Sequence, residues 1–240
     1  MKLPATNTSR NYTPLVIFAV AMGFLEAIVV VYIRELYYPE GFQFPLKALP
    51  QWLIVVELVR ELTTLLMLGA VAWISGKLFL NRLSAFLFLF GIWDIFYYIA
   101  LYIFLGWPES LLTWDILFLI PITWVGPVLA PVICSVLMII MAIVFDYLHI
   151  KKNLTNLQTI ELILIFAGAA VIYFTFTVDF GIILFKGNFL SQLSTLAENH
   201  DFLKILTSWK PTRFNWEIFA VGLIIICIGF YLIIRRGLRT

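Results

Sequence analysis

The sequence predicts an all-α protein, a polytopic bundle of about six transmembrane helices. Composition, the length of the apolar runs and the placement of basic residues lead to this prediction. Of the 240 residues, 62% are hydrophobic and 12% are charged, whereas soluble domains are nearer half apolar and a quarter charged. A soluble chain of this length could not bury so much apolar surface. We therefore expect membrane lipid to cover the remainder.

Each predicted span is an apolar run long enough to cross the hydrocarbon core, which takes ~20 helical residues. The first run carries Glu26 and is not followed by a small-residue cleavage site, so we interpret it as a span and not as a signal peptide. We predict one integral membrane domain over 1–240, with spans near 14–36, 52–75, 83–105, 127–148, 160–184 and 214–234.

The apolar segment 111–126 does not fit a simple count of helical hairpins. It is broken by Pro121 and closed by a Gly-Pro pair, so it is either a seventh span or a re-entrant half-helix. A seventh span would place Lys151, Lys152 and the C-terminal arginines outside, which the positive-inside rule opposes. We therefore predict a re-entrant segment that enters and leaves at the outer face.

The basic residues orient the six spans. With both termini in the cytoplasm, nine lie inside, six lie outside and Arg60 lies within a span. This excess favours that orientation. Short loops and the lack of a large soluble domain are compatible with a multi-pass protein of the cell membrane, of the bacterial cytoplasmic type. The nine inside are Lys2, Arg10, Lys77, Arg82, Lys151, Lys152, Arg235, Arg236 and Arg239, and the six outside are Arg34, Lys47, Lys186, Lys204, Lys210 and Arg213.

Charged side chains within the predicted spans are the main indication of function. Each costs roughly 2.5–3.5 kcal/mol on insertion scales, and those that are retained commonly mark ion or substrate pathways. On the second span, Glu57, Arg60 and Glu61 share one face because they are spaced i, i+3 and i+4. Our candidates for a proton or cation site are Glu26, Glu57, Arg60, Glu61, Asp94 and Asp115.

Under the predicted topology these charges lie in the outer half of the bilayer, beside the broken segment. We infer an acidic polar cleft that is walled by spans one to three and roofed by the segment Trp114–Trp124. Five carboxylates face Arg60 there, a formal charge of −4. Such an excess cannot stay fully ionised in a dry interior, so protons, a bound cation or water must offset it.

A purely structural interpretation of the charged stripe stays open. Glu57, Arg60 and Glu61 could be an ion-pair network that only fixes the register of neighbouring helices. Glu26 and Asp94 fit that interpretation less well, because neither has a basic residue within one turn of its own helix.

Aromatic residues beside the acidic ones suggest a pocket for an organic cation. A Trp-Asp pair at 93–94 recurs at 114–115, and each pair is followed by isoleucine. Chance recurrence in a chain with eight tryptophans is the competing explanation. Our pocket-lining candidates are Trp93, Tyr97, Tyr98, Trp114 and Trp124.

We expect no cofactor that needs histidine or cysteine ligands. His149 and His200 fall on opposite predicted faces, so haem is not expected. No histidine-glutamate pair has the spacing of a zinc or di-iron site, so a divalent cation would have oxygen ligands. The net charge of +2 and the lack of a basic stripe argue against nucleic acid as a partner.

Three functions remain open on the sequence alone. The first is a small cation- or proton-coupled transporter that uses the acidic cleft. The second is a non-catalytic subunit or assembly factor of a membrane complex, whose charges pair with a partner's helices. The third, an intramembrane enzyme acting on a lipid-like substrate through its carboxylates, is less favoured, and no catalytic residue is assigned. A transporter of 240 residues is small, so a homo-oligomer or a membrane-protein partner is an open alternative.

Overall fold

The computed structural model describes residues 10–189, 196 and 199–239, which form seven helices and one two-stranded sheet. The predicted cytoplasmic segment with Lys2 lies outside the described residues. In chain order the elements are α1 (Thr13–Tyr37), α2 (Gln51–Ile74), α3 (Phe79–Leu105), β1 (Trp114–Phe118), β2 (Trp124–Pro127), α4 (Leu129–Lys152), α5 (Thr159–Lys186), α6 (His200–Leu206) and α7 (Trp216–Arg239).

Each predicted span corresponds to one of the six long helices. The ends differ most at α3, which begins at Phe79, at α4, which continues to Lys152, and at α7, which continues to Arg239. Hydropathy marks only the lipid-covered part of a helix. At α4 and α7 the helix continues into basic residues, because lysine and arginine are good helix formers and a cation is favourable at a helix C-terminus.

Five of the described helices, α1, α3, α4, α5 and α7, are long and apolar enough to cross a membrane. Helix α2 has 24 residues and is long enough, but Glu57, Arg60 and Glu61 lie near its middle, so its middle is more polar than that of the other five. Large apolar side chains also cover the outside of the bundle, such as Phe166 at 69% and Ile74 at 81% exposure. Soluble monomers rarely expose apolar surface on this scale, and the prediction of a helical membrane protein is confirmed.

The largest helix interfaces are those of α5 with α7, α1 with α3, and α3 with α4. Glycines permit all three of these close approaches, as is common in membrane bundles. A Cβ atom on Gly91 of α3 would lie 2.7 Å from the backbone oxygen of Ser135 on α4. A Cβ atom on Gly23 of α1 would lie 2.8 Å from the backbone oxygen of Trp93 on α3, and one on Gly168 of α5 would lie 2.6 Å from the backbone oxygen of Gly222 on α7. These positions fix how closely the helix axes approach each other.

The bundle has two main apolar clusters. One joins α4, α5 and α7 through residues such as Phe145, Phe219 and Ile233, and the other joins α1, α2 and α3 through residues such as Ala19 and Leu68. The α3–α4 interface connects the two clusters. The candidate site described below lies beside the second cluster.

The segment 111–126 is a β-hairpin, so the half-helix interpretation is wrong. Strands β1 and β2 are antiparallel, and Trp114 pairs with Pro127 while Phe118 pairs with Trp124. Aromatic and branched residues favour strands, and Pro121 in the connecting loop cannot continue a helix. The bundle is therefore all-α apart from this hairpin, and we call the end of the bundle where the hairpin lies the hairpin end.

A polar clamp closes the opposite end of the bundle. The Arg10 Nε donates a hydrogen bond of 2.5 Å to Asp146 on α4, and the Tyr12 hydroxyl donates one of 2.7 Å to the same carboxylate. Arg10 also donates to the backbone oxygen of Asn81, near the start of α3, at 2.6 Å. These contacts join α1, α3 and α4 at that end.

The contact between α5 and α7 gives the first testable prediction. We expect Gly168→Ala to lower the melting temperature of the purified protein, because the new methyl group overlaps the α7 backbone and overpacking costs ~1–3 kcal/mol. Gly181→Ala on the same helix is the matched control, since a Cβ atom there has no heavy atom within 4 Å. Removing glycine from a helix should leave that control as stable as wild type or more so. Equal destabilisation by both substitutions would contradict the proposed close packing.

Candidate functional site

Nine of the eleven side chains proposed from the sequence line one cavity near the hairpin end. It has a volume of about 140 Å³ and lies between α1, α2, α3 and β1 with its following loop. We call it the polar cavity. The nine are Glu26, Glu57, Arg60, Glu61, Trp93, Asp94, Tyr97, Tyr98 and Asp115.

Arg60 on α2 joins two carboxylates from different helices. Its Nε donates a hydrogen bond of 2.9 Å to Glu57 Oε2, and its Nη1 contacts Glu26 Oε1 on α1. The other Glu26 oxygen accepts a hydrogen bond of 2.9 Å from the Thr64 hydroxyl. Glu26 thus has its basic partner on the neighbouring helix, which the spacing along its own helix could not indicate.

Glu61 holds the hairpin loop against α2. Both of its carboxylate oxygens accept the backbone N–H of Leu119, at 3.1 and 2.9 Å. A backbone N–H away from water needs a partner of this kind. Glu61 therefore has a structural function that explains why a carboxylate is kept in an otherwise apolar helix.

Arg34 is the main cavity residue that sequence reasoning missed. Its Nη2 donates a hydrogen bond of 3.0 Å to Asp115 Oδ1, and its guanidinium carbon lies 3.7 Å from the ring centre of Trp107 and 4.5 Å from that of Phe42. The positive-inside count placed Arg34 on the outer side, at the end of the first span. Its spacing of eight residues from Glu26, which puts both on one helix face, is the signal that could have found it. With Arg34 included, the formal charge of the lining is −3 and not −4.

Asp94 differs from the other carboxylates in this cavity. Its Oδ2 accepts a hydrogen bond of 2.8 Å from the Ser135 hydroxyl on α4. Among the residues that the structure describes, it forms no ion pair, whereas Glu26, Glu57 and Asp115 each contact an arginine. Asp94 lies at the interface of α3 with α4, so it connects the cavity to the second half of the bundle.

Three buried polar atoms of the cavity lining have hydrogen-bonding capacity left over. Within the described chain, Glu57 Oε1, Arg34 Nη1 and Trp93 Nε1 are buried without a hydrogen-bond partner. Buried polar groups are nearly always paired with protein, ordered water or ligand. The lining therefore offers one acceptor and two donors to a bound molecule.

The aromatic candidates divide into two groups. Trp93, Tyr97 and Tyr98 line the polar cavity, but Trp114 and Trp124 do not. Trp114 lines a second cavity at the hairpin end, which is described below. Successive strand residues point to opposite faces: Asp115 faces the cavity, and Trp114 packs on Phe214 beside α7, with ring centres 6.3 Å apart.

Trp124 belongs to the apolar contact between the hairpin and α5. Its ring stacks on Phe176 with centres 6.0 Å apart, and its indole N–H donates a hydrogen bond of 2.9 Å to the backbone oxygen of Ile120. The indole is thus used to close the hairpin loop and pack it on α5.

A second cavity, the vestibule, adjoins the polar cavity at the hairpin end. It has a volume of about 580 Å³ and is lined mainly by the loops that follow α1 and α3. Arg34, Tyr38 and Phe42 line both cavities. These three side chains therefore stand between the polar cavity and the loops.

In the described part of the chain, no group of three or more histidine, cysteine, aspartate or glutamate side chains could hold a metal ion. The oxygen-ligated divalent cation considered from the sequence therefore stays a prediction without an assigned set of ligands.

Comparison of the chain with protein-family models, curated proteins and solved structures found no match. The function is therefore argued from the geometry of the polar cavity.

The buried pair of Arg34 and Asp115 gives the second prediction. We expect Arg34→Met to destabilise the protein by ~3–5 kcal/mol, because it leaves a buried carboxylate without its partner. The double variant Arg34→Met/Asp115→Asn should recover much of this loss, since Asp115 is then neutral. Thermal unfolding of the two single variants and the double variant in mild detergent completes the double-mutant cycle. A double variant no more stable than Arg34→Met would contradict the pairing.

Proposed function

We propose that the protein is a small transporter, coupled to a cation or proton that binds in the polar cavity. The observation that carries the proposal is the convergence of five carboxylates and two guanidinium groups on one cavity, with a formal charge of −3. In a low-dielectric interior such an excess is offset by bound protons or by a bound cation. Exchange of these ions across the cavity is what an ion-coupled transporter requires.

Asp94 is the residue that we propose takes up the coupling ion. Glu26 and Glu57 share Arg60, Asp115 is paired with Arg34, and Glu61 binds the backbone of the hairpin loop. Within the described residues, the Asp94 carboxylate is bound only by the hydroxyl of Ser135. It is therefore the carboxylate whose charge is least compensated by the protein.

The depth of the hairpin supports a re-entrant position in the membrane. Glu61 lies ten residues from the first residue of α2, Gln51, which is ~15 Å along a helix and about half of the ~30 Å hydrocarbon core. The hairpin loop bonds to Glu61, so it reaches that depth if α2 spans the bilayer. We propose that α2 crosses the membrane together with the five apolar helices, which gives one membrane domain of six spans. The hairpin then enters from the outer face.

We also propose the orientation that the basic residues favour, with both termini in the cytoplasm of a cell-membrane protein, of the bacterial cytoplasmic type. The vestibule then opens to the outside. Burial of Glu61 against the loop backbone meets the requirement that irregular backbone at membrane depth be satisfied by protein.

The alternative of a subunit whose charges pair with another protein is less well supported. Within the described residues, Arg34 and Arg60 find carboxylates of this same chain. A partner's helix is therefore not needed to neutralise them.

The orientation gives the third prediction, which is tested in a background with Cys134→Ser and Cys227→Ser. We expect a membrane-impermeant maleimide to label Lys47→Cys on intact cells, because the loop between α1 and α2 lies at the hairpin end. Lys151→Cys, at the end of α4, should be labelled only after the membrane is permeabilised. Labelling of both positions from the same side would rule out the six-span arrangement.

The coupling ion gives the fourth prediction. Proteoliposomes on a solid-supported membrane are exposed to rapid jumps of pH, Na⁺, K⁺ or methylammonium. At least one of these jumps should produce a transient charge displacement in the wild type, and Asp94→Asn should reduce it tenfold or more, because the site carboxylate is neutral.

Asp179→Asn is the matched control for this measurement. It makes the same chemical change on α5, at a position that does not line the polar cavity, and it should keep the wild-type signal. The proposal fails if Asp94→Asn, correctly inserted, gives the same displacement as wild type for every ion.

A further inference from the structure

A third cavity, apolar in character, adjoins the polar cavity along α2. It has a volume of about 290 Å³ and lies between α2, the hairpin loop, α5 and α6. We call it the apolar pocket. Its walls are formed mainly by aliphatic and aromatic side chains, among them Ile54, Leu58, Ile122, Phe180 and Phe202.

The two cavities meet at common side chains. Five residues line both cavities: Tyr38, Leu49, Glu57, Ile116 and Leu119. One binding region therefore has an acidic part and an apolar part in direct continuity. A molecule that fills both parts must itself be amphiphilic.

Glu57 stands at the junction with one oxygen committed and one unused. Its Oε2 accepts the hydrogen bond from Arg60. Its Oε1 has no partner among the described residues, and the side chain is only 9% exposed. An unpaired buried carboxylate oxygen is unfavourable. A ligand that donates a hydrogen bond at this point would satisfy it.

Charge selects the kind of donor. The polar cavity has a formal charge of −3, and both of its arginines already contact carboxylates. An anionic head group would add to the excess negative charge, whereas a small ammonium group would reduce it and donate N–H to Glu57. The limited volume of about 140 Å³ favours a head group of few atoms.

We propose that the transported molecule is an aliphatic amine, with its ammonium head at Glu57 Oε1 and its hydrocarbon chain in the apolar pocket. This inference rests on the proposed function and specifies its substrate class. Val55 lines the apolar pocket and is 51% exposed on the outside of the bundle. Because we propose that α2 spans the bilayer, the hydrocarbon chain of the amine has a path from the lipid into the apolar pocket at this residue.

The inference is tested by binding to the full-length protein in lipid nanodiscs, with empty nanodiscs subtracted for bilayer partitioning. Dodecylamine should bind at least tenfold more tightly than dodecanol or dodecyltrimethylammonium, because a charge-assisted hydrogen bond contributes ~1.5–3 kcal/mol, which is tenfold or more in affinity. The alcohol lacks the charge, and the quaternary ion lacks the N–H. This comparison uses the wild-type protein and needs no variant.

Two variants locate the site. Glu57→Gln should remove the preference for dodecylamine over dodecanol. Ile54→Trp should weaken both ligands tenfold or more by filling the apolar pocket, whereas Val59→Trp, on the same helix but 58% exposed and outside both cavities, should bind as wild type does.

Equal affinity for the amine, the alcohol and the quaternary ion would overturn the inference, as would wild-type binding by Ile54→Trp. If small cations still produce the charge displacement but the protein does not prefer the amine, the substrate class is rejected and the proposed transporter is not. If neither the charge displacement nor the preference for the amine is found, both proposals are rejected.

Discussion

The contact of Arg60 with Glu26 and Glu57 joins α1 to α2 inside an apolar bundle, and the rest of the polar cavity depends on it. Burying a charge in a low-dielectric interior is costly, and removing one partner of a buried pair leaves the other uncompensated. Arg60 and Arg34 together partner three carboxylates, and Glu61 uses the backbone of the hairpin loop. Among the described residues, this distribution leaves Asp94 as the cavity carboxylate that has neither an arginine nor a backbone N–H as its partner. We therefore assign the coupling ion to that position.

The hairpin gives the site its shape, because the charged residues of α1 and α2 hold it in a fixed position. Asp115, on the first strand of the hairpin, accepts a hydrogen bond from Arg34. The loop of the hairpin donates one to Glu61 on α2. Fixed in this way, the hairpin forms the wall that the polar cavity and the apolar pocket share. The clamp at Asp146 holds the helices together at the other end of the bundle. Acidic and apolar surfaces thus become continuous, and this continuity points to an amphiphilic cation.

The sequence predicts the six long helices because an apolar run of ~20 residues has few alternatives in a membrane. It also brings nine candidates to one cavity, since acidic residues in apolar helices must face each other or a polar space. It misses the hairpin, because periodicity does not distinguish a short apolar strand from a helix. Arg34 is missed because assigning basic residues to one side of the membrane ignores the reach of its side chain into the bundle. Trp114 and Trp124 do not line the polar cavity, because the directions of their side chains follow the alternation of a strand and not the half-helix that the sequence suggested.

The most direct test of a cavity with excess negative charge is difference infrared spectroscopy of the protein in lipid bilayers at neutral pH. We expect the C=O band of a protonated carboxyl group in a buffer whose only cation is bulky. The band should diminish when a small cation or an alkylamine binds, and Asp94→Asn should remove it while Asp179→Asn should not. If all five carboxylates of the polar cavity were ionised without a bound cation, no such band would be found under any condition. That result would contradict the proposal that protons or cations compensate the cavity.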